Sequence, residues 1–250
     1  MAAPMHPTGQ FTVDNVTIWY DSQAFDVFEA NLFDPDWLMA QGILTGAATG
    51  RSEAHFLHFA GRDMVLRHYR RGGLLGRVNP DCYVRTPAAK GRAAQEFQLL
   101  SWMRGQGLNV PRPIAARQVT KGLCYRADII MERIPKARTL ADHILESGLP
   151  ETVWHDVGRS IGRMHKLGVH HSDLNCRNIL LDESHTVWLV DFDKCERRVA
   201  GDWAQQNLAR LRRSLQKLQR QHNATNWGVE DWRALIGGYY KDIESGQGLL

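Results

Sequence analysis

The chain has few of the features that mark disulfide scaffolds, zinc sites and membrane spans. Its 250 residues include only four cysteines, and none forms a Cys-x-x-Cys pair, so we expect reduced thiols in a cytosolic setting and no structural zinc. No stretch reaches the roughly 18 consecutive apolar residues of a membrane span, and no basic segment followed by an apolar one opens the chain. The sequence therefore predicts neither a spanning helix nor a standard secretion signal.

The chain also has only a small excess of charge of one sign. The formal net charge is +4 at pH 7, which permits a nucleotide, a nucleic acid or an acidic membrane as partner without selecting among them. The hydrophobic content of 43% supports a substantial core. A chain of this length suffices for one large domain or for two small ones that share a cleft.

The first part of the chain has the pattern of short strands followed by one helix. Residues 11–69 contain alternating runs, and "AGRD" looks like a hairpin turn between two of them. After a glycine-rich break, Phe97, Leu100 and Met103 recur at helical spacing. This half is therefore predicted to be a sheet with one main helix.

The second part is predicted to be mostly helical. Val153, Val157, Ile161 and Met164 form the stripe of an amphipathic helix, and two further helical segments end the chain. Before them, "NILL" and "VWLV" flank a turn as two short strands.

A polar cluster, "HHSDLNCRNIL", interrupts this pattern. His171, Asp173, Arg177 and Asn178 would each be costly to bury without a partner, so the cluster predicts a binding site. Asp191 follows at the end of the next apolar run. This order resembles the protein-kinase-like superfamily, in which an H-x-D-x-x-x-x-N loop precedes D-F-G on the next strand. Polar groups of an ordinary hairpin turn are the alternative.

The resemblance implies a bilobed α+β fold of the protein-kinase-like type. An N-terminal antiparallel sheet lobe with one main helix would cover residues 1–132, and a compact, mostly helical catalytic lobe would cover 133–250. ATP would be the phosphate donor, with Mg²⁺ or Mn²⁺ as the metal.

The same resemblance implies a role for each residue of the cluster. Asp173 would orient and deprotonate a hydroxyl group, while Asn178 and Asp191 would hold the metal. Arg177 would neutralise charge on the transferring group or else form an ordinary salt bridge. His171 would orient the loop.

Upstream, the resemblance implies two groups that bind the nucleotide phosphates. Gly46 and Gly50 would let backbone N–H groups approach a phosphate, although their G-x-x-x-G spacing departs from G-x-G-x-x-G and also suits a hairpin turn. Arg67 stands where the usual strand lysine is expected, and its forked donors would reach both a phosphate and Glu96. The alternatives are an exposed strand charge for Arg67 and a solvated helix face for Glu96.

The strand "IIMERIP" resembles the segment that joins the two lobes. The resemblance implies that the backbone of Met131, Glu132 and Arg133 contacts adenine. A plain buried strand is the alternative.

Three departures argue against a kinase of protein substrates. Ser172 replaces the arginine of H-R-D, Asp193 replaces the glycine of D-F-G, and no A-P-E follows. The chain beyond Asp193 is expected to be too short for a full substrate-docking lobe. A compact small-molecule or glycolipid kinase is the better prediction.

Four segments together look like the lipopolysaccharide-kinase branch, and among its members like the enzymes that phosphorylate 3-deoxy-D-manno-octulosonic acid: "VLRHYRRGGLLGRV", "FQLLSWMRGQGLNVPRPIAA", "HHSDLNCRNILLD" and "WLVDFDKC". This similarity implies phosphate transfer from ATP to the 4-hydroxyl of that acidic sugar on a lipid A precursor. It also implies a peripheral protein on the cytoplasmic face of the bacterial inner membrane, with a glycolipid acceptor and no nucleic acid as partner.

The sequence leaves open the role of one helix and two rival functions. A late helix carries several arginines and a lysine that would meet anionic lipid or simply face water. A small atypical protein kinase and a nucleotide-binding scaffold without transfer activity are the rival functions.

Overall fold

A computed structural model describes residues 8–48, 54–71, 81–222 and 226–244. The chain divides into two compact units, one formed by Met1–Gln106 with Pro111–Arg133 and the other by Gly107–Val110 with Ile134–Leu250. The first contains a large antiparallel sheet and the second is mainly helical. The predicted α+β class is confirmed.

The sheet of the first unit has eight strands. They are β1 (Thr8–Val13), β2 (Val16–Asp21), β3 (Leu44–Ala48), β4 (Ala54–Phe59), β5 (Arg62–His68), β6 (Tyr83–Val84), β7 (Pro113–Lys121) and β8 (Cys124–Glu132). Their order is β1-β2-β7-β8-β5-β4-β3, with β6 beside β8, and every pairing is antiparallel.

The β4–β5 hairpin turns where the sequence predicted, at "AGRD". Ala60 and Gly61 both have positive φ, 51° and 72°, which is the geometry that matches the right-handed twist of the flanking strands. The turn fixes the register, so that Arg67 lies opposite Ala54 on one side and Ile129 on the other.

The main helix of this unit packs against the sheet. Two short 3-10 segments, Ala30–Phe33 and Ala88–Lys90, accompany helix α1 (Pro35–Ala40) and helix α2 (Arg92–Gly105). Phe97, Leu100 and Met103 of α2 are each no more than 1% exposed, which confirms the predicted stripe. Burial of such side chains stabilises the unit by roughly 1.5–3 kcal/mol each.

Two of the four cysteines contradict the prediction of reduced thiols. Cys82 and Cys124 form a disulfide, with their Cα atoms 5.6 Å apart, because β6 pairs with the start of β8 and brings the two residues side by side. Their sequence separation of 42 carries no spacing signal. Cys176 and Cys195 are buried and take part in no disulfide within the described part of the chain.

The second unit has four helices among its described residues, α3 (Leu140–Glu146), α4 (Glu151–Lys166), α5 (Trp203–Gln221) and α6 (Val229–Glu244). Its short strands are β9 (Arg138–Thr139), β10 (Val169–His170), β11 (Ile179–Leu181), β12 (Val187–Leu189) and β13 (Glu196–Arg197). They form a β12-β11-β9 sheet and a β10-β13 pair, all antiparallel.

Glycines let α4 and α6 approach backbone to backbone. A Cβ atom at Gly158 would lie 1.9 Å from the carbonyl oxygen of Leu235, and one at Gly238 would lie 2.0 Å from that of His155. Any larger side chain would therefore force these two helices apart. None of the described helices has the length and apolar character needed to cross a bilayer.

Candidate active site

The loop after β10 is built around the buried ring of His171. Its Nε2 lies 3.0 Å from the carbonyl oxygen of Val190, and its Nδ1 lies 3.2 Å from the backbone nitrogen of Asp173. Since a carbonyl only accepts and an N–H only donates, the proton of a neutral ring lies on Nε2. Burial lowers the pKa of His171, and the nearby carboxylates of Asp173 and Asp191 only partly oppose that effect. The ring is therefore neutral and orients the loop.

A second buried cluster holds the backbone at His171. The side-chain oxygen of Asn207 accepts from the His171 N–H at 3.1 Å, and its amide nitrogen donates to the His171 carbonyl at 3.0 Å. The same oxygen lies 3.3 Å from Nε2 of His165, whose Nδ1 is 3.0 Å from the hydroxyl of Tyr239. Desolvation lowers the pKa of His165 to about 4. Helices α4, α5 and α6 thus fix the start of the loop.

The carboxylate of Asp173 pairs with an arginine that the sequence did not mark as a site residue. Arg210 of α5 places Nε 2.8 Å and Nη2 2.6 Å from the same oxygen, Oδ1. Both side chains are 49% exposed. The one sequence cue is the basic face of α5, which the sequence predicts to meet anionic lipid or water and not this loop.

Asn178 ties the loop to the strand that leads to Asp191. Its side-chain nitrogen donates to the Asp173 carbonyl at 2.9 Å, and its own carbonyl accepts from the Val190 N–H at 3.0 Å. The side-chain oxygen is consequently the atom of this amide that suits a cation.

The segment around Asp191 has an unusual backbone. Asp191 adopts a positive φ of 65°, a conformation that is uncommon for residues other than glycine. The ring of Phe192 is buried with its centroid 4.8 Å from that of His171. The hydroxyl of Ser172 donates to the carbonyl of Asp193 at 2.7 Å. The two residues that depart from H-R-D and D-F-G therefore contact each other.

Two oxygen donors of the second unit, from Asn178 and Asp191, suit a hard cation whose other ligands are phosphate oxygens and water. Among the described residues, no three His, Cys, Asp or Glu side chains form a metal-binding group. The oxygen of Asn178 and the carboxylate of Asp191 are nevertheless the ligand types that Mg²⁺ prefers, and this ion commonly takes one or two protein ligands beside phosphates and water. Two oxygen donors on adjoining segments fit that pattern.

Arg177 is exposed in the same loop. Its backbone nitrogen donates to the side-chain oxygen of Asn175 at 2.8 Å, which turns the chain between Asp173 and Asn178. Within the described ranges, its guanidinium forms no ion pair with a carboxylate, so the predicted salt-bridge alternative does not occur there.

In the first unit, Arg67 and Glu96 meet across 29 positions of sequence. Nη2 of Arg67, on β5, lies 2.6 Å from each carboxylate oxygen of Glu96, on α2. The hydroxyl of Tyr69 donates to the same carboxylate at 2.6 Å. The Arg67 side chain is 14% exposed and that of Glu96 is 1% exposed, so neither alternative of an exposed strand charge or a solvated helix face fits. Whether Arg67 binds phosphate stays a prediction.

Where the structure describes them, the other residues predicted to bind nucleotide lie in strands or at their ends, and their positions give no direct sign of a nucleotide site. Gly46 lies in β3 beside a register shift, opposite Phe56, and Gly50 falls outside the described residues. Met131 and Glu132 end β8. The N–H of Glu132 donates to the backbone carbonyl of Arg112, and that of Arg133 donates to the backbone carbonyl of Asp63, so these two donors are already used within the unit. Adenine contact at this segment stays a prediction.

Comparison with known proteins places this chain in a family. A sequence profile of the Lipopolysaccharide kinase (Kdo/WaaP) family matches residues 35–239. The chain belongs to this family, its fold is kinase-like, and it is a kinase.

Individual relatives match over nearly their whole length. The 3-deoxy-D-manno-octulosonic acid kinase of Vibrio parahaemolyticus serotype O3:K6 is 42% identical, with 90% of this chain and 94% of the relative covered. Proteins with the same name from Vibrio cholerae and Haemophilus influenzae are 40% and 36% identical, and the matches cover 89% and 93% of this chain and 94% and 99% of the relatives.

Proposed function

We propose that this protein transfers the γ-phosphate of ATP to the 4-hydroxyl of a 3-deoxy-D-manno-octulosonic acid residue on a lipid A precursor, during synthesis of the lipopolysaccharide core. The names of the relatives support the choice of sugar. The observation that carries the chemistry is the loop in which His171 and Asn178 fix the backbone of Asp173 while its carboxylate faces partly to solvent. A carboxylate so held suits a general base for an alcohol.

In the proposed reaction, Asp173 accepts the proton of the sugar hydroxyl. The hydroxyl oxygen forms a bond to the γ-phosphorus, and the bond from that phosphorus to the bridging oxygen breaks, so that ADP leaves. Catalysis of this kind depends on positioning and electrostatics more than on covalent participation of the protein. Arg177, which is exposed in the loop, stabilises charge on the transferring group.

The remaining predicted residues bind the donor nucleotide. Asn178 and Asp191 hold Mg²⁺ or Mn²⁺, which when bound neutralises phosphate charge. Arg67, oriented by Glu96, contacts the phosphates, and backbone N–H groups next to Gly46 in β3 contribute to the same contact. The backbone of Met131, Glu132 and Arg133 contacts adenine.

The acceptor is a glycolipid, so we propose peripheral association with the cytoplasmic face of the inner membrane. Helix α5 supports this, because its exposed side contains Arg212, Arg213, Lys217 and Arg220 while the helix has no acidic residue. A basic face of this kind attracts anionic headgroups.

The test is an assay with labelled ATP and three acceptors offered separately: a lipid A precursor that bears the acidic sugar, the same precursor without it, and a generic protein. Mass spectrometry and NMR of the product locate the phosphate. We expect label only on the sugar-bearing precursor, at its 4-hydroxyl. Label on protein would favour the atypical protein kinase, and absence of label on all three, with ATP still bound, would favour the scaffold.

A further inference from the structure

The pair formed by Arg210 and Asp173 has a one-sided geometry. Two donors of the guanidinium, Nε and Nη2, converge on Oδ1 at 2.8 Å and 2.6 Å. Among the described residues, no hydrogen bond is made to the other oxygen, Oδ2. One oxygen of the predicted base is therefore held, and the other keeps its lone pairs for a hydroxyl group.

The helix that carries Arg210 is itself fixed to the catalytic loop. Asn207, one turn earlier on α5, binds both backbone groups of His171, and Ser214, one turn later, accepts the N–H of Cys176 at 3.0 Å. Leu211 is fully buried beside them. The backbone at position 210 is thus clamped on both sides to the segment that contains Asp173.

We propose that Arg210 is a positioning residue for the transfer reaction: it fixes the rotamer of Asp173 and directs Oδ2 toward the acceptor hydroxyl. This inference rests on the proposed function of Asp173 as the base. A carboxylate with free rotation about its side-chain bonds would spend much of its time away from the hydroxyl, and small misplacements of catalytic groups lower rates by as much as about 10²-fold. Arg210 acts through Asp173, whose Oδ1 it holds with two donors.

The experiment compares Arg210→Ala, Arg210→Lys and the wild type with ATP and the sugar-bearing precursor. We expect Arg210→Ala to lower kcat by roughly 10- to 100-fold with little change in KM for either substrate. Arg210→Lys should recover only part of kcat, because a single ammonium group cannot reproduce the two-donor grip. Arg159→Ala is the matched control, since it removes a similarly exposed arginine–aspartate pair, with Asp156, elsewhere in the same unit; its kcat should stay at the wild-type value.

Chemical rescue separates positioning from a structural role. Millimolar guanidinium should restore part of the kcat of Arg210→Ala, because the site is half-exposed, and should leave Asp173→Ala inactive. Wild-type kcat in Arg210→Ala, or a raised KM for the acceptor with unchanged kcat, would overturn the inference. So would failure of both lysine and guanidinium to restore any activity to a variant that melts at the wild-type temperature. Failure of the proposed function is distinguishable, since the wild type itself would then not phosphorylate the precursor.

Discussion

Replacement of Arg67 tests a deeply buried ion pair of the first unit. In Arg67→Ala, the carboxylate of Glu96, which is 1% exposed, loses the guanidinium that contacts both of its oxygens. Loss of one partner from a buried pair typically costs about 3–5 kcal/mol. Because the Arg67 side chain is itself 14% exposed, we expect the lower end, about 3 kcal/mol. For a chain of this size, that corresponds to a fall of roughly 6–12 °C in melting temperature.

A double variant separates this loss of stability from loss of nucleotide binding. Arg67→Met with Glu96→Leu removes both charges, and apolar replacement of a buried pair is often neutral or stabilising. We therefore expect the double variant to regain only part of the melting temperature, because the buried hydroxyl of Tyr69 loses Glu96 as its acceptor. It should still bind ATP weakly, since the charge proposed to contact phosphate is gone. Arg67→Lys should be intermediate in both respects, because it keeps the charge but not the fork.

The assays are thermal unfolding and calorimetric titration with ATP and Mg²⁺. Lys136→Ala is the control for the stability measurement, since Lys136 pairs with Glu183 on the surface, with side chains 72% and 66% exposed, and such pairs contribute at most about 1 kcal/mol. Wild-type stability in Arg67→Ala would refute the estimate for the buried pair. If the double variant bound ATP with wild-type affinity, a cation other than Arg67 would have to contact the phosphates.

The remaining predictions concern the loop that contains Asp173, the disulfide and the pH dependence of stability. Asp173→Ala should abolish transfer without altering the melting temperature, because the side chain is half-exposed; Asp191→Ala should in addition weaken ATP–Mg²⁺ binding, and wild-type turnover in purified Asp173→Ala would contradict the role of the base. Reduction of the Cys82–Cys124 bond, which spans 42 positions, should lower the free energy of unfolding by about 4 kcal/mol, as urea titrations with and without dithiothreitol would show; superimposable curves would contradict this. The folded-state pKa of His165 is about 4, below its ordinary 6.5, so the unfolded chain takes up the proton at a higher pH than the folded chain does. The free energy of unfolding should therefore fall as the pH drops from 6.5 to 4, by up to about 1.4 kcal/mol per pH unit. In urea titrations at several pH values, a His165→Gln variant should show a flatter dependence.

The features that the sequence predicted correctly are those with local signals. The "AGRD" turn was readable because a glycine lies between two alternating runs, and α2 because Phe97, Leu100 and Met103 follow a single helical period. The Arg67–Glu96 contact has no local signal, since its members are far apart in the chain. It was anticipated only through the resemblance to kinases.

The features that were missed depend on tertiary placement. A helical period shows which side of α5 is buried, but not which exposed residue reaches a loop 37 positions earlier, as Arg210 does. The disulfide was missed because lateral pairing of β6 with β8 follows no cysteine spacing. The strands β9, β10 and β13 have only two residues each, too few for alternation to be detected.

The hydrogen bond from Ser172 to the Asp193 carbonyl has a consequence for how this kinase is controlled. In regulated protein kinases, the position of Ser172 is an arginine that forms an ion pair with a phosphorylated residue of the activation loop. The neutral hydroxyl of Ser172, which already donates to the Asp193 carbonyl, cannot form such an ion pair. We therefore expect that activity does not require a phosphorylated residue of this chain to pair with position 172.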